Sequence, residues 1–407
     1  MKNLYLFNYL SKAAFYGIGT YTEQLVQCMR RENIRIYIVD MFSAEMEFMR
    51  KEINGIEHIV MPRIRQHVTE DEYCVNMLYI LRQYVDNKAE NIFHLNYLNN
   101  YSLVKGLKKY FRAKIIITVH YCEPMFLLNG NYDLFKSIVF SRKKKTDSPL
   151  YDLVRKQWKE VKKILSCADS VIAIAQHSFN MIMEMYEVDR SKMVLIQNGI
   201  KDLYTNISLL ERNEIRKEFG INKREKIILF AGRLDKVKGA DILIKAFLLL
   251  KKKYDNLHLI IAGGGDMSVL FPLILPQLTS VSFTGFINSA TLAKLYKIAD
   301  MGVVPSVYEE FGYVTIEMMM YGLPVIAFNT SSPSEQITHG EDGLLAIVDC
   351  DLDDIEKMST SLAKEMEYFL VNSSLFTSMK KKCRSNFLKK YDLEIFRQNM
   401  KEVYSLL

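Results

Sequence analysis

Along the whole chain, short and nearly continuous apolar runs alternate with stretches of helical periodicity. In the first half the runs are NLYLFN at 3–8, IRIYIVD at 34–40, EHIVM at 57–61, NIFHLN at 91–96, KIIITVH at 114–120 and SVIAIA at 170–175. Runs apolar on both alternating faces suit strands covered by helices above and below, which means a parallel sheet. The stretch 126–145, broken by Asn, Gly and a cationic run, reads as a mobile loop or an inserted helical excursion. The second half repeats the alternation more cleanly: KIILFAG at 226–232, an amphipathic helix from Ala240, LHLIIAGGG at 257–265, VSFTGF at 281–286, the helix TLAKLYKIAD, the strand MGVVPS, a helix over Tyr313 to Tyr321, and LPVIAFN at 323–329. Each half is therefore expected to be an α/β doubly wound sheet with right-handed crossovers, binding ligands at the carboxyl ends of its strands.

A chain of 407 residues fits two cores of about 200 residues each. The pattern divides it into an N-terminal domain 1–198, a C-terminal domain 199–391 and a final helix 392–407. That helix places Phe396, Met400, Val403, Tyr404 and Leu407 on one face, with Asp392 as its cap. Crossing back to the first domain would bury the face.

Charge refines this picture. Net charge is +7, and the first 200 residues hold 28 Lys+Arg against 21 Asp+Glu, so the whole surplus lies there. Residues 105–163 alone carry 15 basic and 5 acidic side chains, among them Lys105, Lys108, Lys109, Arg112, the run Arg142 to Lys145, Arg155, Lys156, Lys159, Lys162 and Lys163. Such a cluster is either a set of solvated helix faces or a surface for anionic lipid headgroups or an acidic acceptor. Nucleic acid is not expected, because no basic-aromatic recognition module is visible. At 49% hydrophobic and 25% charged residues the composition excludes disorder and low-complexity scaffolds. Six cysteines without a Cys-x-x-Cys pair read as reduced thiols, the opening residues do not read as a secretory signal, and no apolar stretch reaches the about 20 residues of a membrane span. A cytoplasmic protein follows as the expectation, with peripheral contact at an anionic inner membrane face the extension the basic cluster suggests.

Four constellations at strand-to-helix turns could carry chemistry. Gly17-Ile18-Gly19 opens a helix, where glycines let a phosphate approach backbone N–H groups at the positive end. A purely structural turn would look the same. Gly232-Arg233-Leu234-Asp235-Lys236-Val237-Lys238-Gly239 places Arg233 as a planar fork and Lys238 as a point charge to converge on a diphosphate. Neutralising the charge that develops on a departing nucleotide is electrostatic catalysis. Glu309-Glu310-Phe311-Gly312, followed by Glu317 about one turn into a helix, offers two carboxylates to accept sugar or ribose hydroxyls, with Gly312 allowing close backbone approach. Taken alone, these glutamates equally suit a helix start. His120 ends the strand KIIITVH and is either a satisfied structural histidine or a cleft residue.

Together, GIGTYTEQL, ITVH, LIQNGI at 195–200, FAGRLDKVKG, IAGGG, FTGF, PSVYEEFGYVTIEMMMYGLPVIA and GEDGLL at 340–345 resemble glycosyltransferase family 4, retaining enzymes of the GT-B fold. The likeness is fullest from Lys226 to Val348. The resemblance implies two Rossmann-like domains facing a cleft and transfer of a sugar, with UDP as the expected nucleotide, to a glycan, lipid-linked or peptide acceptor in polysaccharide or glycoconjugate biosynthesis. It implies that Arg233 and Lys238 bind the nucleotide-sugar diphosphate, Glu309 the donor sugar near the reacting carbon, and Glu317 the ribose. Gly232, Phe311 and Gly312 would shape the donor site, Gly17 and Gly19 would sit on the phosphate side, and His120 would line the sugar site from the other domain. The family often has Glu-Gly-Phe-Gly where this chain has Glu309-Glu310-Phe311-Gly312.

No metal or other cofactor is expected if Arg233, Lys238 and helix amides neutralise the diphosphate. The acidic run from Asp349 to Asp354 reads as helix capping rather than as a metal site, and Met318-Met319-Met320 as core filler. A catalytically silent subunit of the same fold, binding a nucleotide sugar or stabilising a partner, should lack some of Arg233, Lys238, Glu309 and Glu317; all four are present. A dehydrogenase would need a tight glycine fingerprint after its first strand and an acidic residue about 20 positions on, and neither is found.

Overall fold

The computed structural model describes residues 2–9, 17–64, 68–98, 100–140, 148–348 and 354–406. The chain forms two compact units, one of Met1–Lys201 with Leu393–Leu407 and one of Asp202–Asp392.

Among the described residues the first unit holds an eight-stranded sheet: β1 (Lys2–Tyr9), β2 (Ile34–Ser43), β3 (Met49–Ile53), β4 (Ile56–Pro62), β5 (Asn91–Leu95), β6 (Ala113–Val119), β7 (Ser170–Ala173) and β8 (Met193–Leu195). Their order is β3-β4-β2-β1-β5-β6-β7-β8, and every pair but β3/β4 is parallel. The order reverses between β1 and β5. β5 is buried along its length, and β6 from Ile115 to Val119, as near-continuous apolar sequence requires. β3 departs from the expected parallel alternation. Its sequence MRKEI is mostly polar and lies at the sheet edge, joined to β4 through Asn54-Gly55, both at positive φ. That is a two-residue hairpin turn of the kind Asn-Gly favours.

The segment read as loop or excursion forms helices Glu123–Leu127 and Tyr132–Phe140, while the cationic run Arg142 to Lys145 lies outside the described residues. Helix Leu393–Leu406 belongs to this unit and buries Phe396, Met400, Val403 and Tyr404; Leu407 lies outside the described residues.

The second unit holds β9 (Lys226–Ala231), β10 (Leu257–Ala262), β11 (Val281–Gly285), β12 (Met301–Val304), β13 (Val325–Phe328) and β14 (Gly343–Ala346), all parallel in the order β11-β10-β9-β12-β13-β14. Read from β9 this is the doubly wound order 3-2-1-4-5-6, whose switch point lies between β9 and β12. Helix Ala240–Lys251 covers the sheet with Leu243, Ala246, Phe247 and Leu250, and Met358, Leu362 and Met366 of helix Ile355–Val371 complete the same core. Met318, Met319 and Met320 are buried. Asp354 caps the helix that follows it by accepting from the Lys357 N–H at 3.1 Å, while Asp349 to Asp353, Cys350 included, lie outside the described residues. No disulfide forms among the described cysteines. Among the described residues no helix is long and apolar enough to cross a membrane.

Candidate active site

In the second unit the two loops flanking the switch point are stitched together by backbone. The loop after β9 is held to the end of β10 by Gly232 N–H to Ala262 O at 2.9 Å and Leu234 N–H to Gly264 O at 3.0 Å. It then makes a 3-10 turn, Lys236–Lys238, capped by the Asp235 carboxylate accepting from the Lys238 N–H at 3.2 Å. Val307, after β12, donates its N–H to Val237 O at 2.9 Å, which fixes the second loop against this turn. Gly239 makes the approach possible: its φ is +67°, and a Cβ there would lie 2.1 Å from Pro305 O.

The consequence is a charge pair. Lys238 Nζ lies 2.5 Å from Glu309 Oε1, with the side chains 18% and 12% exposed. The Ser306 hydroxyl donates to the same oxygen at 2.9 Å. The Glu309 N–H donates to Ser331 Oγ at 2.9 Å, and the Phe311 carbonyl accepts from Ser332 Oγ and Gln336 Nε2. Helix Ser331–Gln336, which follows β13, thus straps the glutamate loop from behind its catalytic candidate. Ser331 holds φ +44°, a strained backbone for a side-chain-bearing residue.

The other expected residues sit around this pair. Arg233 bridges to Asp235 Oδ2 at 3.0 Å and is half exposed, so its fork lies one residue link from Lys238. Gly312, at φ +74°, starts helix Tyr313–Met320 and lets the chain turn from strand end into helix. Glu317, in that helix, accepts from the Tyr296 hydroxyl at 2.7 Å; burial pushes its carboxyl above the usual range, with the Tyr296 hydrogen bond opposing. Burial likewise holds the Tyr296 hydroxyl well above its ordinary value. Phe311 is core, its ring edge-on to Tyr313 and Tyr391, so its side chain is not presented to a ligand. Glu310, where the family often has glycine, is buried and accepts from the Tyr308 hydroxyl at 2.5 Å, so the protein itself absorbs the additional carboxylate.

In the first unit, His120 follows β6, and its Nε2 lies 3.2 Å from Oδ1 of buried Asn96, at the end of β5. The Nδ2 of Asn96 meets no acceptor among the described residues. Gly17 and Gly19 lie in the first turn of helix Gly17–Met29, whose Tyr21 packs edge-on to His120 at 4.3 Å between ring centroids. The Tyr21 hydroxyl lies 3.1 Å from Thr118 Oγ1, which lies 2.7 Å from His94 Nε2, and His94 Nδ1 lies 2.6 Å from the Tyr404 hydroxyl. Burial pushes His94 down to about 3, and burial with His94 nearby does the same to His120, so both imidazoles are neutral. His120 is therefore a hydrogen-bonding group and not a cation.

The sequence reading did not single out Asp235, Tyr296, Ser306, Ser331, Asn96 or His94. Ser331 had a local signal: a strand ending in the polar run Asn329-Thr330-Ser331-Ser332. Tyr296 and His94 had none, since their partners are distant in sequence.

Two family models match. One, described as Glycosyl transferases group 1, covers residues 211–381; the other, Glycosyltransferase Family 4, covers residues 15–202. An uncharacterised glycosyltransferase of Methanocaldococcus jannaschii is 37% identical over 43% of this chain and 46% of its own length. The mannosylfructose-phosphate synthase of Agrobacterium fabrum is 30% identical over 54% of this chain and 50% of its own length. The chain thus spans about half the length of the curated relatives it matches. Among solved structures, a sucrose-phosphate synthase from Thermosynechococcus elongatus superposes with TM-score 0.76 at 20% identity, covering 100% of this chain and 99% of that one. Anabaena HepE, solved with UDP, superposes with TM-score 0.76 at 17% identity over the whole of both chains. At such identities the likeness establishes the fold, which is GT-B. With one model over each α/β unit and that fold beneath both, the chain belongs to glycosyltransferase family 4.

Proposed function

We propose that this protein is a retaining glycosyltransferase that moves a sugar from a UDP-sugar to a glycan, lipid-linked or peptide acceptor. The observation that carries the reading is the Lys238–Glu309 pair at the switch point of the second unit, where doubly wound sheets bind nucleotides. A diphosphate is assigned to Lys238 and Arg233, the donor sugar to Glu309, and the ribose to Glu317, with Gly232 and Gly312 giving backbone room. Lys238 is already neutralised by Glu309, so the donor enters by exchanging this internal pair for two external ones: phosphate on the lysine, hydroxyls on the carboxylate. UDP in the HepE crystals supports a uridine donor.

Departure of the diphosphate and attack by the acceptor take place on the same face of the sugar, through an oxocarbenium-like state. The bond from the anomeric carbon to the phosphate oxygen breaks, the bond to the acceptor oxygen forms, and the acceptor proton leaves with the diphosphate. Cations placed where charge develops do the catalytic work, so the reading assigns neutralisation to side chains and not to a metal or cofactor. The acceptor is assigned to the first unit, where neutral His120 and Asn96 offer hydrogen bonds without charge. The basic surplus of that unit fits a cytoplasmic enzyme working at an anionic membrane face.

The test is a thermal-shift screen of UDP, GDP and ADP and their common sugars. A ligand at 100 times its dissociation constant adds about 2.7 kcal/mol of stability. UDP and one UDP-sugar should raise the melting temperature of the wild type and fail to raise that of Arg233→Ala. No shift with any nucleotide would overturn the reading.

A further inference from the structure

Helices Glu70–Tyr84 and Tyr101–Tyr110 of the first unit pack side by side and leave an open furrow of about 220 Å³ between them. That is smaller than an ordinary small-molecule site of about 300–1,000 Å³, and the furrow is distant in sequence from every residue assigned to the donor. Its floor is apolar, with Leu78 at the base, and its rim carries Arg82, Lys105 and Lys109 but no carboxylate. Among the described residues none of these cations forms an ion pair. They are held on rings instead: Arg82 and Lys109 each lie 5.0 Å from the centre of Tyr110, and Lys105 lies 5.9 Å from that of Tyr101. Lys163 covers the same Tyr101 ring at 5.8 Å, which continues the basic edge onto helix Pro149–Cys167. Tyr79 stands 64% exposed beside this rim.

Unneutralised cations around an apolar floor, with exposed tyrosine among them, match the layering of a bilayer surface: phosphates outside, hydrocarbon beneath, and amphipathic rings at the boundary. An acidic protein partner would satisfy the cations but would leave the floor and Tyr79 without a counterpart. We propose that this furrow is a docking site for an anionic phospholipid surface, with Arg82, Lys105 and Lys109 on the headgroup phosphates and exposed Val75 and Tyr79 against the first part of the acyl region. The proposal deepens the reading of a peripheral enzyme, on which it rests, and requires no sugar transfer.

Flotation of the full chain with phosphatidylcholine vesicles, with and without one third phosphatidylglycerol, tests it. The wild type should float only with the anionic vesicles. Each cation near such a surface is worth about fivefold in partitioning, so joint Arg82→Ser, Lys105→Ser and Lys109→Ser should weaken it by roughly a hundredfold. Joint Lys217→Ser, Lys223→Ser and Arg224→Ser removes the same charge from exposed positions of the second unit and should leave flotation unchanged. Equal flotation on neutral vesicles, equal loss in both triple variants, or capture by soluble polyglutamate without flotation would overturn the proposal. The nucleotide screen is run without vesicles, so failure of the donor reading shows separately.

Discussion

The two units of this chain share a parallel α/β architecture but keep their polar chemistry in different places. In the second unit it sits in two loops of adjacent strand ends, stitched by backbone hydrogen bonds so that Lys238 meets Glu309. In the first it runs through the core as a line of neutral groups, from Tyr404 through His94 and Thr118 to Tyr21, whose ring packs on His120. One unit holds its charge pair in the loops at its strand ends; the other holds a line of neutral hydrogen bonds in its core. Loss of a side chain should therefore act on chemistry in the second unit and on acid stability in the first.

The largest expected effect separates two cations of the second unit. Lys238→Ala and Arg233→Ala should each lower turnover by about 10²–10³-fold, the cost of about 3–4 kcal/mol for a missing group at a charged transition state. Their stabilities should differ. Lys238→Ala leaves the mostly covered Glu309 carboxylate with only Ser306, and loss of one partner from a buried pair costs about 3 kcal/mol. Arg233 and Asp235 are exposed enough for solvent screening, so Arg233→Ala should cost no more than about 1 kcal/mol. Urea unfolding measures this, and equal losses would break the picture of a covered pair beside an open one.

A smaller effect probes the first unit. His94 and His120 are neutral in the fold with pKa values near 3, below the ordinary histidine value, so the unfolded chain binds more protons between those limits. Stability contributed by the neutral imidazoles is complete above about pH 6.5 and is lost as pH falls, by up to about 1.4 kcal/mol per pH unit for each histidine. Trp158 is the only tryptophan and lies in the first unit, where its indole N–H donates to Met185 O at 2.8 Å, so its fluorescence follows that unit alone. His94→Phe should remove one proton from the acid slope of the Trp158 transition. It should also cost about 1–3 kcal/mol at neutral pH, because Tyr404 and Thr118 lose their buried partner. An unchanged slope would place the acid lability elsewhere.

The same contrast explains what the sequence made legible. Arg233, Lys238 and Glu309 follow strands whose apolar runs are unmistakable, and Glu317 lies about one turn into the next helix, so their placement could be read from spacing. The hairpin strand β3 was missed although Asn54-Gly55 announces it, because its polar sequence lacks the apolar run of a central strand. The line through His94 could not be read. It joins positions from 21 to 404, and nothing in the apolar run NIFHLN distinguishes a histidine that hydrogen-bonds on both nitrogens from one that merely packs. Phe311 shows the converse: a donor-site residue by family resemblance, a core residue by packing.

The smallest effect lies where the second unit departs from its own local logic. Ser331 belongs to neither motif, yet its hydroxyl accepts the Glu309 N–H, and its backbone is held at φ +44° to do so. Ser331→Ala removes the acceptor and retains the strain; Ser331→Gly removes the acceptor and relaxes the backbone. Loss of one such hydrogen bond is worth about 1 kcal/mol, so both variants should lose about fivefold in turnover as the Glu309 loop loosens. Stability should separate them, with Ser331→Gly up to about 1 kcal/mol the more stable, since glycine adopts positive φ without a Cβ clash. Wild-type turnover in both would mean that the Lys238 ion pair and Ser306 suffice to hold Glu309, and that the strap from helix Ser331–Gln336 serves packing alone.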